Sequence, residues 1–261
     1  MSTPLAGVRL AVGLLSVVPA GRIDTPTRDT ARWAMLLAPL AIAPVATAVA
    51  VLIGLGASLR LPVLLVGLLA VGVEALLTRA LHLDGLADTV DGLGSGRERE
   101  GALAIMRRGD IGPMGVVTLV VVLGLQAAAY AGLVTAEWGG LVAGAMVCAA
   151  RTALPLLTRE SVPSARPEGL GALVAGAVPS PAALLVTTVA FLGCLAVVAA
   201  GDGPTTAPWL GGSWLLGLCA LWRLQTVCIR RLGGITGDVL GAGVLILQSC
   251  LLVGLAIGVT R

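Results

Sequence analysis

Three carboxylates and the only histidine of a 261-residue chain fall within ten residues, His82-Leu83-Asp84-Gly85-Leu86-Ala87-Asp88-Thr89-Val90-Asp91. At 100° per residue a helix turns Asp84, Asp88 and Asp91 to about 0°, 40° and −20°, one narrow face, with Leu86, Val90 and Leu93 at about 180–240°. Carboxylates held so close repel one another and retain their protons unless a cation sits between them. A hard divalent cation with oxygen ligands, Mg²⁺ above all, suits such a face. A solvated face with Asp84 as N-cap needs no metal, but acids seldom gather beside membrane segments without a role. Glu74 precedes His82 by eight residues, about 12 Å along a helix, inside an apolar run. At that depth it is either a functional acid or the buried partner of Arg79 or Arg151. His82, with an imidazole that titrates near neutrality, can act as a base, bind phosphate or cap a helix end. It lies about 200° from Asp84, so joint ligation requires a break at Leu83–Gly85.

Two turns complement the acids. Arg107-Arg108-Gly109-Asp110-Ile111-Gly112-Pro113 sets two guanidinium groups beside backbone N–H groups, a phosphate site or a pair of headgroup anchors. Gly233-Gly234-Ile235-Thr236-Gly237-Asp238 opens a helix and presents free N–H groups to an anion. Gly237 and Gly241 also form a GxxxG pair, for which close helix packing is the competing explanation. Together these residues describe metal-assisted phosphoryl or nucleotidyl transfer.

The elements that must hold them are membrane helices. The chain is 57% hydrophobic and 12% charged. It reads as an all-α, polytopic bundle of about seven transmembrane helices in one membrane domain, residues 1–261. The spans are 33–57, 61–81, 116–135, 140–157, 182–200, 209–227 and 239–259, preceded by an interfacial N-terminal segment, 1–32. Pro39 and Pro44 kink the first span. Residues 82–113 form the acidic and basic loop and 228–238 the Gly-rich loop. All 17 basic residues are arginine. Arg9, Arg22, Arg28, Arg32, Arg97, Arg99, Arg107, Arg108, Arg159, Arg166, Arg230 and Arg231 fall on one set of alternate loops. Arg60 and Arg261 fall on the other set. That bias makes the N-terminus and the polar loops cytoplasmic, at the inner membrane. The run Arg97-Glu98-Arg99-Glu100 reads as a surface face. The net charge of +3 and 3% aromatic residues exclude a nucleic-acid platform. Five scattered cysteines without a CxxC read as packing residues.

Glu74 with Thr78-Arg79-Ala80-Leu81-His82-Leu83-Asp84-Gly85-Leu86-Ala87-Asp88-Thr89-Val90-Asp91 resembles the signature of the cobalamin synthase family, the adenosylcobinamide-GDP ribazoletransferases. Ile105-Met106-Arg107, Ile111-Gly112-Pro113-Met114-Gly115 and Gly234-Ile235-Thr236-Gly237-Asp238-Val239-Leu240-Gly241-Ala242 are similar to two further blocks. The resemblance implies a Mg²⁺-dependent step late in vitamin B12 assembly. A hydroxyl of α-ribazole, or of its 5′-phosphate, attacks the cobinamide-linked phosphorus of adenosylcobinamide-GDP and GMP leaves. With it come expected roles: His82 and Asp238 catalytic; Glu74, Asp84, Asp88 and Asp91 on the metal; Arg107, Arg108, Asp110, Arg151, Arg166, Thr236 and Gly237 on substrate. The expected partners are the two substrates and the lipid bilayer, with no oligomeric state specified. The chain departs from the family pattern at Arg107-Arg108-Gly109, where many relatives have Lys-Asp-Ser after the Met. It departs again at Pro39-Leu40-Ala41, without the Pro-x-Gly, and at Gln248, where an acid is expected. A CDP-alcohol phosphotransferase is the rival enzyme, but the Asp84–Asp91 spacing is too compact for its motif. A transporter would want its polar groups near the midplane.

Overall fold

The computed structural model describes residues 4–21, 25–201 and 205–259. Arg22 and Arg261, both used in the arginine count, lie outside them. Those residues form helices joined by turns and loops, with two isolated parallel bridges and no strand.

An apolar α1 (Pro4–Leu15), too short to cross a bilayer, lies along α2 (Arg28–Ala41), with Gly7 directly against Trp33. The N-cap of α2 is Thr27, whose side chain accepts from the Thr30 amide. α2 and α3 (Ala43–Ser58) form the expected first span, and the break at Ile42 sits between Pro39 and Pro44.

The second span departs from expectation. α4 (Val63–Leu77) ends before the predicted Leu81, and α5 (Leu81–Gly94) leaves it at 91°. The corner is made by Arg79 and Ala80 in left-handed conformation, φ 54° and 53°, which costs an L-residue about 1–2 kcal/mol. Contacts from the N-terminal segment hold it. Arg79 Nη2 donates to the carbonyls of Gly13 at 2.7 Å and Leu14 at 3.3 Å, and the Val17 amide donates to Leu77 O at 2.8 Å. Among the described residues six helical segments are therefore long and apolar enough to span a membrane. A seventh exists only if α4 and α5 count as one broken span.

A short α6 (Arg99–Ile105) leads to α7 (Pro113–Leu133). The fourth span is divided into α8 (Gly139–Ala150) and α9 (Ala153–Leu157). Pro155, lacking an N–H for the carbonyl four residues back, accounts for the interruption at Arg151–Thr152. α10 (Leu170–Val174) lies in the following loop, and α11 (Ser180–Gly201), α12 (Ala207–Leu232) and α13 (Gly237–Val259) complete the bundle.

α13 is the axis, packed against α12, α5, α7, α8 and α9. Its small residues let neighbours close in. Gly241 meets the backbone of His82 in α5, and Gly243 meets Leu157 in α9. Leu86 of α5 buries itself with Ala242 and Leu245, as the apolar side of that helix requires.

Deep in the bundle four polar side chains satisfy one another. Glu74 Oε1 takes a bond from Arg151 Nη2 at 3.1 Å. Glu74 Oε2 accepts from Tyr130 Oη and from Gln248 Nε2, each at 2.8 Å. Arg151 Nη1 donates to Gln248 Oε1 at 2.7 Å and to Val147 O at 2.9 Å. Of the two partners weighed for Glu74, Arg151 is the one present. Arg151 Nε is buried without a protein partner, but the other donors and acceptors are matched, which is how charged groups survive such burial.

Candidate active site

The polar loops gather at one end, held by arginines on carbonyls. Arg99 donates to Ala165 O at 3.1 Å, Arg166 to Leu103 O at 3.1 Å, Arg231 to Arg97 O at 3.0 Å and Arg28 to Ala175 O at 2.8 Å. Arg99, which reads as part of a surface run, is thus a strut. The Gly-rich loop is joined to the loop before α10: the Ile235 amide donates to Pro163 O and the Ala165 amide to Ile235 O, both at 2.9 Å. Gly234 packs so tightly on Pro163 and Ser164 that a Cβ has no room.

This junction sets Asp238 in the first turn of α13. The Thr236 hydroxyl donates to Asp238 Oδ2 at 3.0 Å and accepts from the Val239 amide at 3.3 Å, capping the helix. Arg166 Nη1 lies 3.8 Å from Asp238 Oδ2, and its Nε is buried without a protein partner. On the facing helix, Gly85 brings α5 against the Asp238 backbone, so Asp238 joins Asp84 and Asp88 although about 150 positions separate them. Burial first, then the charges of Asp84, Asp238 and Asp91, push the Asp88 carboxyl up to about 6, with Arg166 opposing. Burial lowers the pKa of Arg166; Asp238 and Asp88 oppose that, and nearby Arg107 adds to it. The result is an acidic group with Arg166 at its edge and Arg107 near Arg166.

Two of the four acids expected on the metal have other engagements. Asp91 accepts from the amides of Gly112 at 2.7 Å and Gly115 at 2.9 Å, capping the N-terminus of α7 from another helix. Those amides, expected to help bind phosphate beside Arg107 and Arg108, are therefore already used. Glu74 stands apart in the buried network, and so does Arg151, which is 1% exposed. The break at Leu83–Gly85 that joint ligation by His82 and Asp84 would require is absent: α5 is continuous there and the chain turns before it, at Arg79 and Ala80. His82 is buried, lines a cavity of about 210 Å³ together with Asp84, Gly237 and Asp238, and leaves its Nε2 without a protein partner. Arg108 and Asp110 are exposed and border a separate cavity of about 250 Å³ with Asp91 and Ser95.

A match to the family described as cobalamin-5-phosphate synthase covers residues 7–256. The chain belongs to that family. It is 46% identical over 236 residues to an adenosylcobinamide-GDP ribazoletransferase of Nocardioides sp., covering 90% of this chain and 92% of that one. It is 40% identical over 242 residues to the enzyme of that name from Bradyrhizobium diazoefficiens (91% and 88% covered) and 37% identical over 252 residues to that from Frankia casuarinae (89% and 88%). No solved structure matches the chain. In this synthase-family member no three His, Cys, Asp or Glu side chains among the described residues stand together in a group that could hold a metal ion. Mg²⁺ does not require such a group: it is ordinarily held by one or two carboxylates with substrate phosphates and water. The Asp84 and Asp88 carboxylates, for which no protein hydrogen bond competes in the way Gly112 and Gly115 compete for Asp91, fit that donor set.

Proposed function

We propose that this protein is a Mg²⁺-dependent adenosylcobinamide-GDP ribazoletransferase of the inner membrane, with its site open to the cytoplasm. The observation that carries the reading is the meeting of Asp84 and Asp88 of α5 with Asp238 of α13, bordered by Arg166 with Arg107 near it. The arginine bias of the loops supports the orientation.

In this reading Arg166 and Arg107 attract and orient the diphosphate of adenosylcobinamide-GDP. A ribose hydroxyl of α-ribazole or its 5′-phosphate attacks the cobinamide-linked phosphorus. The bond from that phosphorus to the bridging oxygen breaks, and GMP departs with the oxygen. Asp238, held by Thr236, takes the hydroxyl proton. Mg²⁺ bound by Asp84 and Asp88 supplies charge neutralisation at the diphosphate. Gly237 lines the same cavity as Asp238.

The test is product analysis with the purified full-length protein. Equimolar GMP and cobalamin (or cobalamin phosphate) should appear from the two substrates, stop with a chelator and resume with Mg²⁺. Absence of both products, or turnover indifferent to chelation, would overturn the reading in whole or for its metal.

A further inference from the structure

The cavity of about 210 Å³ beside Asp84 and Asp238 has walls that differ from its mouth. Leu15 of α1, Met35 of α2, Leu154 of α9 and Leu240 of α13 are each at most 3% exposed and enclose it. Against this hydrocarbon stands one titratable wall residue away from the carboxylates, His82, 4% exposed and with its Nε2 unpartnered in the protein. The mouth carries Asp84 and Asp238.

We infer that this cavity receives the base of the acceptor nucleoside, a compact, largely apolar, fused bicyclic heterocycle, and leaves the attached ribose at the two carboxylates. The assignment of that nucleoside as α-ribazole rests on the function proposed above. Size excludes a corrin ring or a complete guanosine diphosphate. Guanine alone is excluded by its polar edge: several donors and acceptors buried against leucine and methionine would go unpaired. A benzimidazole-type base has hydrocarbon edges and one free ring nitrogen. That single nitrogen is the one polar ring atom the apolar wall has to accommodate, against several for guanine. The same placement gives α1 a purpose beyond lying at an interface: Arg79, bonded to Gly13 and Leu14, holds Leu15 in the wall.

Leu154 provides the test in the full-length protein. Leu154→Phe narrows the cavity and should raise the KM for 5,6-dimethylbenzimidazole riboside roughly tenfold or more, the range one or two misplaced methylenes command in an apolar pocket. Unsubstituted benzimidazole riboside should suffer less, and the KM for adenosylcobinamide-GDP should stay put. Leu154→Ala enlarges the cavity and should shift preference toward a naphthimidazole riboside, which keeps the test open if the Phe variant does not fold. Equal changes for all acceptors, or a change confined to adenosylcobinamide-GDP, would refute the placement. Calorimetric binding of the riboside without corrinoid separates the two claims. Binding abolished by Leu154→Phe but no transfer by the parent protein defeats the function alone. Transfer by the parent protein with binding indifferent to Leu154 defeats the cavity assignment alone.

Discussion

Gly85 and Asp238 touch through their backbones: a Cβ placed on Gly85 would come 2.7 Å from the carbonyl oxygen of Asp238 and 3.0 Å from its Cα. The contact fixes how far α5 stands from α13, and with it the spacing of the carboxylates on either side. Gly85→Ala should therefore reduce GMP release by about 10²-fold, and the overpacking should destabilise the protein by about 1–3 kcal/mol. Gly72→Ala, in α4 where a Cβ meets open space, is the matched control and should change neither. Turnover and thermal unfolding of the two variants check this.

Asp88 and Asp91 should separate chemistry from architecture. Asp91→Ala strips the cap from two α7 amides and should cost about 1.5–3 kcal/mol of stability, the range for hydrogen bonds to a charged group, with little change in Mg²⁺ affinity. Asp88→Asn should not lower stability at neutral pH, since it removes a carboxylate that burial and its neighbours disfavour, and should lower turnover by about 10²-fold or more. The two variants exchanging these phenotypes would reverse the assignments.

On the proposed reading Mg²⁺ binding should be pH-dependent, because the Asp88 carboxyl is pushed up to about 6. Its folded value lies above the ordinary carboxylate value of about 3.9. The metal-free protein thus binds the extra proton between those values and loses stability as pH rises through that window. Mg²⁺ competes with the same proton, so its affinity should fall as pH drops through about 6. Mg²⁺ titrations between pH 5 and 8 check the direction, and Asp88→Asn should flatten the profile.

Arg151→Met leaves Glu74 buried without its cation and should destabilise by about 3–5 kcal/mol. A milder effect, in thermal unfolding, is expected for Tyr130→Phe, which removes one 2.8 Å bond from the same carboxylate.

Arg108→Ala should spare the KM for ribazole, since Arg108 borders the cavity of Asp91 and Asp110, apart from the one beside Asp238; a raised KM for adenosylcobinamide-GDP alone would extend the contacts of the diphosphate from Arg107 to Arg108. Equal changes in both would assign Arg108 to anchoring the helix.

The acidic face was legible in the sequence because helical periodicity is local, and the apolar runs marked the spans because burial in lipid is a property of composition. The broken second span was not. Nothing about Arg79 or Ala80 as residue types announces a left-handed corner, which depends on carbonyls of Gly13 and Leu14 far away in the chain. Asp91 reads like its two neighbours on α5, and only the position of Gly112 and Gly115 turns it into a cap. A Gly-Pro-Met-Gly helix start in want of an anionic cap was the available signal. Gly85 reads as an easy place to break a helix, whereas its lack of a side chain serves the approach of α13. Asp238 was singled out from its own turn; its company came from the packing.

The most direct test of the shared site is a double-mutant cycle on GMP release with Asp88→Asn and Asp238→Asn, in protein shown to fold and insert normally. Each single change should lower turnover by about 10²-fold or more, because each removes charge or proton acceptance while Asn keeps the shape. Groups acting on one reaction centre are not additive. The double variant should thus be little slower than the slower single one. Losses that multiply, or an Asp238→Asn protein with ordinary Mg²⁺-dependent turnover, would contradict a common site.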